Sequence, residues 1–292
     1  MSALFGPAGN CQDFYAAGLK HTVQIPAWLQ EKGLTAYEYQ CGRGVKLSDK
    51  TADELRREAE AHGITLSLHA PYFISLASAD PEKRENSLRY ILESGRAVHK
   101  LGGTRIVVHP GGLGGLSREE ATQLAAHTLA RAQQALDEEG LGEVRICPET
   151  MGKINQLGDL EEVLELCLVD ERFLPCIDFG HLNSRTHGGM NSREDFAAAI
   201  DRIADRLGAE RARQFHAHFS KIQYTDGGEK MHLTFDDTVY GPEPAPLMEL
   251  VAQRGLSPTF ICESAGTQTR DAETLCRLWR QAADAQAEGA GA

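Results

Sequence analysis

A single (β/α)8 barrel, a TIM barrel, is the fold class this sequence predicts, and three observations point to it. Short β-branched or alternating apolar runs take turns with longer amphipathic segments along the whole chain. Eight such units fit within 292 residues, close to the roughly 250 of a typical barrel. No Pro- or Ser-rich linker and no break in composition separates them, so one domain is expected over 1–292, with a disordered tail at 286–292.

The strands are expected at 2–6, 34–39, 64–69, 104–109, 144–149, 174–178, in the stretch opening at Arg213, and at 258–263. Each is short, and most are rich in Val, Ile, Leu or aromatic residues, as buried parallel strands are. The helices between them have their own signals. Residues 11–20 and 26–32 carry helical spacing. Thr51-Ala-Asp-Glu54 reads as a capping box, with His62-Gly63 as the stop. Residues 81–101 close on Gly102-Gly103, and Ser117-Arg-Glu-Glu120 opens a helix that runs to Gly140. Helices at 159–168, 192–208, 245–254 and about 270–285 complete the alternation.

Composition narrows the function. The net charge of −12 argues against a general nucleic-acid coat, which needs a basic surface. It leaves room for a local basic face, for which Arg43, Lys46, Lys153, Arg185, Lys221 and Lys230 are candidates in loops. No apolar run approaches the roughly 20 residues of a membrane span. Nor is a secretory signal visible in MSALFGPAGN. The seven scattered cysteines, with no CxxC pair, read as buried reduced thiols, and a cytoplasmic location is expected.

The chemistry gathers at strand ends. Six consecutive strands finish on residues that ligate metals: His69, His109, Glu149, Asp178 with His181 just beyond, His216 with His218, and Glu263. Glu229 and His232 follow in the next loop. In a barrel the C-terminal strand ends form one rim, so these residues converge. Imidazole and carboxylate suit zinc or a similar dication. Nine ligands exceed the needs of one ion, so two or three ions sharing a carboxylate are expected. Clustered dications favour phosphoryl-oxygen chemistry. His21, His62, His99 and His127 fall on helices or connections and read as structural, while His187 lies in the sixth loop.

Taken together, HAPYFISLAS at 69–78, VVHPGG at 107–112, ICPETMG at 146–152, CIDFGH at 176–181, HAHFSK at 216–221 and CESAG at 262–266 resemble endonuclease IV. These are the zinc-dependent apurinic/apyrimidinic endonucleases of the xylose-isomerase-like barrels. The resemblance implies three zinc ions, with Mn²⁺ a second choice. Glu149 would bridge two of them. His69 and His109 would complete the first, Asp178, His216 and Glu263 the second, and His181, Glu229 and His232 the third. Glu149 and Glu263 take the catalytic roles. Tyr72, His218 and Lys221 are expected to contact substrate, which would be abasic-site DNA or another phosphodiester. A monomer is implied. The late Asp-x-His pair of the family is replaced here by Glu229 three residues before His232, and the loop QCGRGVKLS does not match. The alternative is a sugar isomerase or epimerase using Glu149, Asp178, His216 and Glu263 around one Mn²⁺-type ion. A non-catalytic metal-holding barrel is the third reading.

Overall fold

A computed structural model describes residues 2–290. In chain order its elements begin with β1 (Leu4–Pro7), α1 (Gln12–Ala16), a 3-10 turn (Thr22–Gln24), α2 (Ile25–Glu31), β2 (Ala36–Gln40), α3 (Asp49–His62) and β3 (Thr65–His69). There follow α4 (Pro81–Lys100), β4 (Arg105–Val108), α5 (Arg118–Glu138), β5 (Arg145–Pro148), α6 (Leu160–Cys167), β6 (Cys176–Asp178) and α7 (Phe179–Arg185). The last third contains α8 (Arg193–Leu207), α9 (Ala209–Arg213), β7 (His216–Phe219), β8 (Ile222–Thr225), β9 (Gly228–His232), α10 (Pro244–Gln253), β10 (Thr259–Cys262) and α11 (Gln268–Ala290).

The barrel strands pair in parallel as two four-stranded arcs, β2-β3-β4-β5 and β1-β10-β7-β6. Parallel bridges join the arcs on both sides, Ala8 with Glu38 and Glu149 with Cys176. Backbone hydrogen bonds from Gly9 to Glu38 (2.9 Å) and from Thr150 to Cys176 (3.0 Å) run across the same two seams. The fold is a TIM barrel. Gly6 makes one seam possible: a Cβ there would lie 1.7 Å from the Ala36 carbonyl oxygen.

Helix boundaries follow their caps. Ser117 and Glu120 form a reciprocal capping box on α5, as do Ser192 and Asp195 on α8. At α3 the cap differs from expectation. Ser48 accepts the Thr51 N–H at 3.2 Å, so the helix starts at Asp49 rather than after Thr51. The expected helix over 11–20 shrinks to Gln12–Ala16 because Gly18 takes a left-handed φ of 82°. Residues up to Ala290 continue α11, as the Ala, Gln and Glu of that stretch favour, and 291–292 lie outside the described residues.

One apolar core fills the space between barrel and helices, including Phe14, Phe173, Phe179, Phe196, Phe215 and Phe260. All seven cysteines are buried and unpaired with one another. His62 bonds Gln30 at 2.7 Å and His99 meets Glu143 at 2.7 Å, which suits the structural reading of both. Among the described residues no helix is long and apolar enough to cross a membrane.

Candidate metal centre

Parallel strands with both faces covered point alternate side chains into the barrel, so residues two apart on one strand stack in layers. The top layer gathers the polar groups. His69 is the last residue of β3, and Asp178 ends β6. His109, Glu149 and Glu263 each stand one residue past the end of β4, β5 and β10.

Glu149 is the hub. Its Oε2 lies 3.0 Å from His109 Nε2 and 3.3 Å from His69 Nε2, and its Oε1 lies 2.9 Å from His218 Nδ1. Each oxygen therefore faces a different set of histidines. His218 Nδ1 is also 3.5 Å from Glu263 Oε2. Among the described residues, five overlapping groups have ligand atoms within 4.8 Å of one another. Three of them cover the rim, namely His69, His109, Glu149; Glu149, Asp178, His218, Glu263; and His181, Glu229, His232. Of the other two, His69, His218, Glu263 spans the first two and Cys176, His216, His218 lies below.

Neighbours fix which nitrogen faces the cluster. His69 Nδ1 donates to the Ala70 carbonyl at 2.8 Å, and His181 Nδ1 donates to the Thr150 carbonyl at 2.8 Å. Both leave Nε2 as a lone-pair donor toward the carboxylates. Asp178 Oδ1 accepts the His181 N–H at 2.7 Å and so caps α7. Its buried Oδ2 has no hydrogen-bond partner. Crowded carboxylates, imidazoles turned toward them and an orphaned buried oxygen together fit divalent cations.

The third group rests on an element that the sequence reading took for a loop. β8 and β9 form an antiparallel hairpin, and a bridge from Lys153 to Gly228 ties it to the loop after β5. This carries Glu229 Oε2 to 3.5 Å from His181 Nε2. Gly152 makes the approach possible, since a Cβ there would lie 2.6 Å from Glu229 Cβ and 2.9 Å from His181 Cδ2. Glu229, three residues before His232, thus reaches the group, and Ser220 Oγ and His232 Nδ1 are 2.9 Å apart.

Several expectations are corrected. His216 does not join Asp178, Glu149 and Glu263; His218, expected at the substrate, does, and it is fully buried. Both point inward from β7, but His216 is two residues nearer the bottom, about 6.6 Å deeper at the usual rise. Its Nε2 meets Glu38 Oε2 at 2.9 Å instead. Lys221, expected at the substrate, is buried, donates to the Asp237 carbonyl at 2.7 Å and pairs with Glu243 at 2.6 Å. It fastens the chain after β9. Arg185 is likewise committed, donating to the carbonyls of Met151, Lys153 and Gln156.

Glu38 is the residue that sequence reading passed over. It is fully buried below the cluster, within 3.1 Å of His218 Nε2 and accepting from Ser67 Oγ at 2.9 Å. Burial pushes its carboxyl up, but the charges and hydrogen bonds of His218 and His216 outweigh that and hold it well below the usual range. His216 goes the other way, pulled down to about 4 chiefly by burial. For Glu263, burial is again opposed and overcome by His218, leaving about 2. His181 is raised to about 9, because Asp178, Glu149 and Glu229 together exceed the cost of burying its charge.

Above the cluster opens a cleft of about 660 Å³ lined by His69, Tyr72, His109, Lys153, Glu229 and Glu263, among others. Tyr72, 58% exposed, stacks on His109 at 5.5 Å between ring centres.

The sequence model of the xylose isomerase-like TIM-barrel family matches residues 26–286. The chain belongs to this xylose isomerase-like family. It is 32% identical over 236 residues to an uncharacterized protein of Methanocaldococcus jannaschii, covering 81% of this chain and 84% of that one. A protein named probable endonuclease 4 from Acholeplasma laidlawii is 31% identical over 182 residues, 58% of this chain. That alignment spans 60% of the relative's length. Among solved structures, this member of the xylose isomerase-like family is similar in fold to endonuclease IV from Thermus thermophilus. The TM-score is 0.67 at 19% identity, over 96% of this chain and 99% of that one. A D-tagatose 3-epimerase-like protein gives a TM-score of 0.69 at 17% identity over 97% and 99%.

Proposed function

We propose that this chain is a metal-dependent phosphodiesterase of the endonuclease IV kind, cutting DNA 5′ to abasic sites. One observation carries the reading: three ligand groups share one rim, two of them joined through the separate oxygens of Glu149. A sugar epimerase working with one ion would need only Glu149, Asp178, His218 and Glu263. His69, His109, His181 and His232 then have no task.

Bound zinc ions, or manganese in their place, would supply a nucleophilic hydroxide near neutral pH and offset charge on both the attacking and leaving oxygens. The chain's own residues do the rest. His69, His109 and Glu149 would hold one ion, Glu149, Asp178, His218 and Glu263 a second, and His181, Glu229 and His232 a third. Glu149 and Glu263 are the catalytic carboxylates: buried Glu149 would be shared between two ions, and Glu263, in the cleft lining, would accept a hydrogen bond from the attacking water. Tyr72 offers a ring face to a base or sugar. Lys153, in the cleft lining, offers a positive charge to a phosphate.

The test is incision of a duplex carrying one abasic site, with purified protein before and after chelator treatment and after zinc is returned. Cleavage that disappears with the chelator and returns with zinc is the expected result. A protein that holds one manganese, leaves the duplex intact and epimerises a ketose would replace this reading with the epimerase.

A further inference from the structure

Below the metal centre lies a polar cluster that shares only His218 with the three ligand groups assigned above. Glu38 from β2, Ser67 from β3, and His216 and His218 from β7 meet inside the barrel, each of them buried. Glu38 Oε2 accepts from Ser67 Oγ and from His216 Nε2, both at 2.9 Å. Gln40 Nε2 donates to Oε1 at 3.2 Å. The same Oε1 lies 3.1 Å from His218 Nε2, off the hydrogen-bond axis. The opposite nitrogen of that ring, Nδ1, is the atom that faces Glu149 and Glu263.

A buried carboxylate–imidazole pair adds little net stability by itself, because desolvation cancels most of the attraction. Its consequence is at the far side of the ring. We propose that Glu38, held in place by Ser67 and His216, is a positioning residue for His218, its carboxylate 3.1 Å from Nε2 fixing the ring with Nδ1 turned up to the metal centre. The inference rests on the metal reading above. It gives His216 a role from below: a donor that orients Glu38, one layer beneath any ion.

The alternatives differ in which atoms they require. Were Cys176, His216 and His218, whose ligand atoms also lie within 4.8 Å, to hold an ion of their own, Glu38 would be a ligand or a bystander. The 2.9 Å contact commits His216 Nε2 to a direct hydrogen bond with Glu38, so an ion in that group would have to use His216 Nδ1, which is buried without a partner, and the experiment separates the two.

The experiment is cobalt and zinc titration of the full chain, wild type against Glu38→Gln, His216→Gln and Ser67→Ala. Affinities come from competition with a chromogenic chelator, and the metal-free proteins are compared by circular dichroism. In Glu38→Gln one ion should bind roughly 10- to 100-fold more weakly, with altered visible cobalt bands, while the others keep wild-type affinity. His216→Gln and Ser67→Ala should weaken that same ion by less and lose none. If Glu38→Gln fails to fold, these two milder variants decide alone, since a merely structural cluster would leave their cobalt spectra unchanged. Wild-type affinity and spectra in all three variants would overturn the proposal. So would loss of a whole ion in His216→Gln, or a thiolate-to-cobalt band removed by Cys176→Ser, because either makes the lower cluster a metal site. A wild-type chain that binds no divalent ion overturns the metal reading itself, a result that cannot be confused with the others.

Discussion

The metal-free centre holds protons that divalent ions must displace, because an imidazole ligates only when neutral. His181, at about 9, is mostly protonated at pH 7.5. Burial opposes a charge on His218 as well, but Cys176, Glu263, Glu149 and Glu38 outweigh it and raise the ring well above its usual range. Glu263, at about 2, and Glu149, held low by His218 and His109 against the effect of burial, carry no proton to release. Loading at pH 7.5 should therefore expel the proton on His181, with the raised rings of His218 and His69 acting in the same direction. Each expelled proton makes the loading constant rise about tenfold per pH unit, so His181 alone sets a rise of about tenfold, or about 1.4 kcal/mol, between pH 6.5 and 7.5. Calorimetric titration with zinc, repeated in buffers of different ionisation enthalpy, counts the protons. His181→Gln should release one fewer. A proton count near zero at pH 7.5, or the same count in the variant, would refute the charge assignment.

Three further outcomes follow from the same contacts. For His181 the folded pKa of about 9 exceeds the unfolded value of roughly 6.5, so its contribution is fully present below 6.5 and is lost as pH rises through 9. Chelator-treated protein should thus lose about 3 kcal/mol from this group between pH 6.5 and 9 in urea denaturation. Lys221→Met removes the donor to Asp237 and Glu243 and should cost about 1–3 kcal/mol by denaturation, with metal content unchanged; a large loss of substrate affinity at full stability would instead return Lys221 to the substrate. Gly152→Ala pushes a methyl group against Glu229 and His181 and should cost about 1–3 kcal/mol while weakening one ion selectively, which a chelator competition would read. Equal weakening of every ion would contradict the grouping of those residues.

The barrel was legible because its signals are local. Capping residues at Ser117 and Ser192, glycine stops and strand-ending histidines and acids each act over a few residues. The ring they build then brings His69, His109, Glu149 and Glu263 to one rim. What failed depends on depth and on facing. His216 and His218 share a side of β7, and alternation alone does not say which of them reaches the rim. Glu38 sits in the run LTAYEY, where an acid between two tyrosines reads as a solvent-facing position. In a barrel strand covered on both faces, that position points into the interior. The β8–β9 hairpin did carry a signal, Asp226-Gly227-Gly228 between two short strand-forming runs. It was hidden by reading the whole stretch as a ligand-bearing loop. Lys221 looked available for substrate because its partners, Asp237 and Glu243, lie 16 and 22 residues further along.

Anomalous diffraction at the zinc edge, from crystals grown with zinc, tests the central claim most directly. Three peaks are predicted at the barrel rim: two flanking Glu149, one of them facing His218 Nδ1, and a third among His181, Glu229 and His232. A single peak confined to the Glu149, Asp178, His218 and Glu263 group, or density centred on His216 and Cys176, would contradict it.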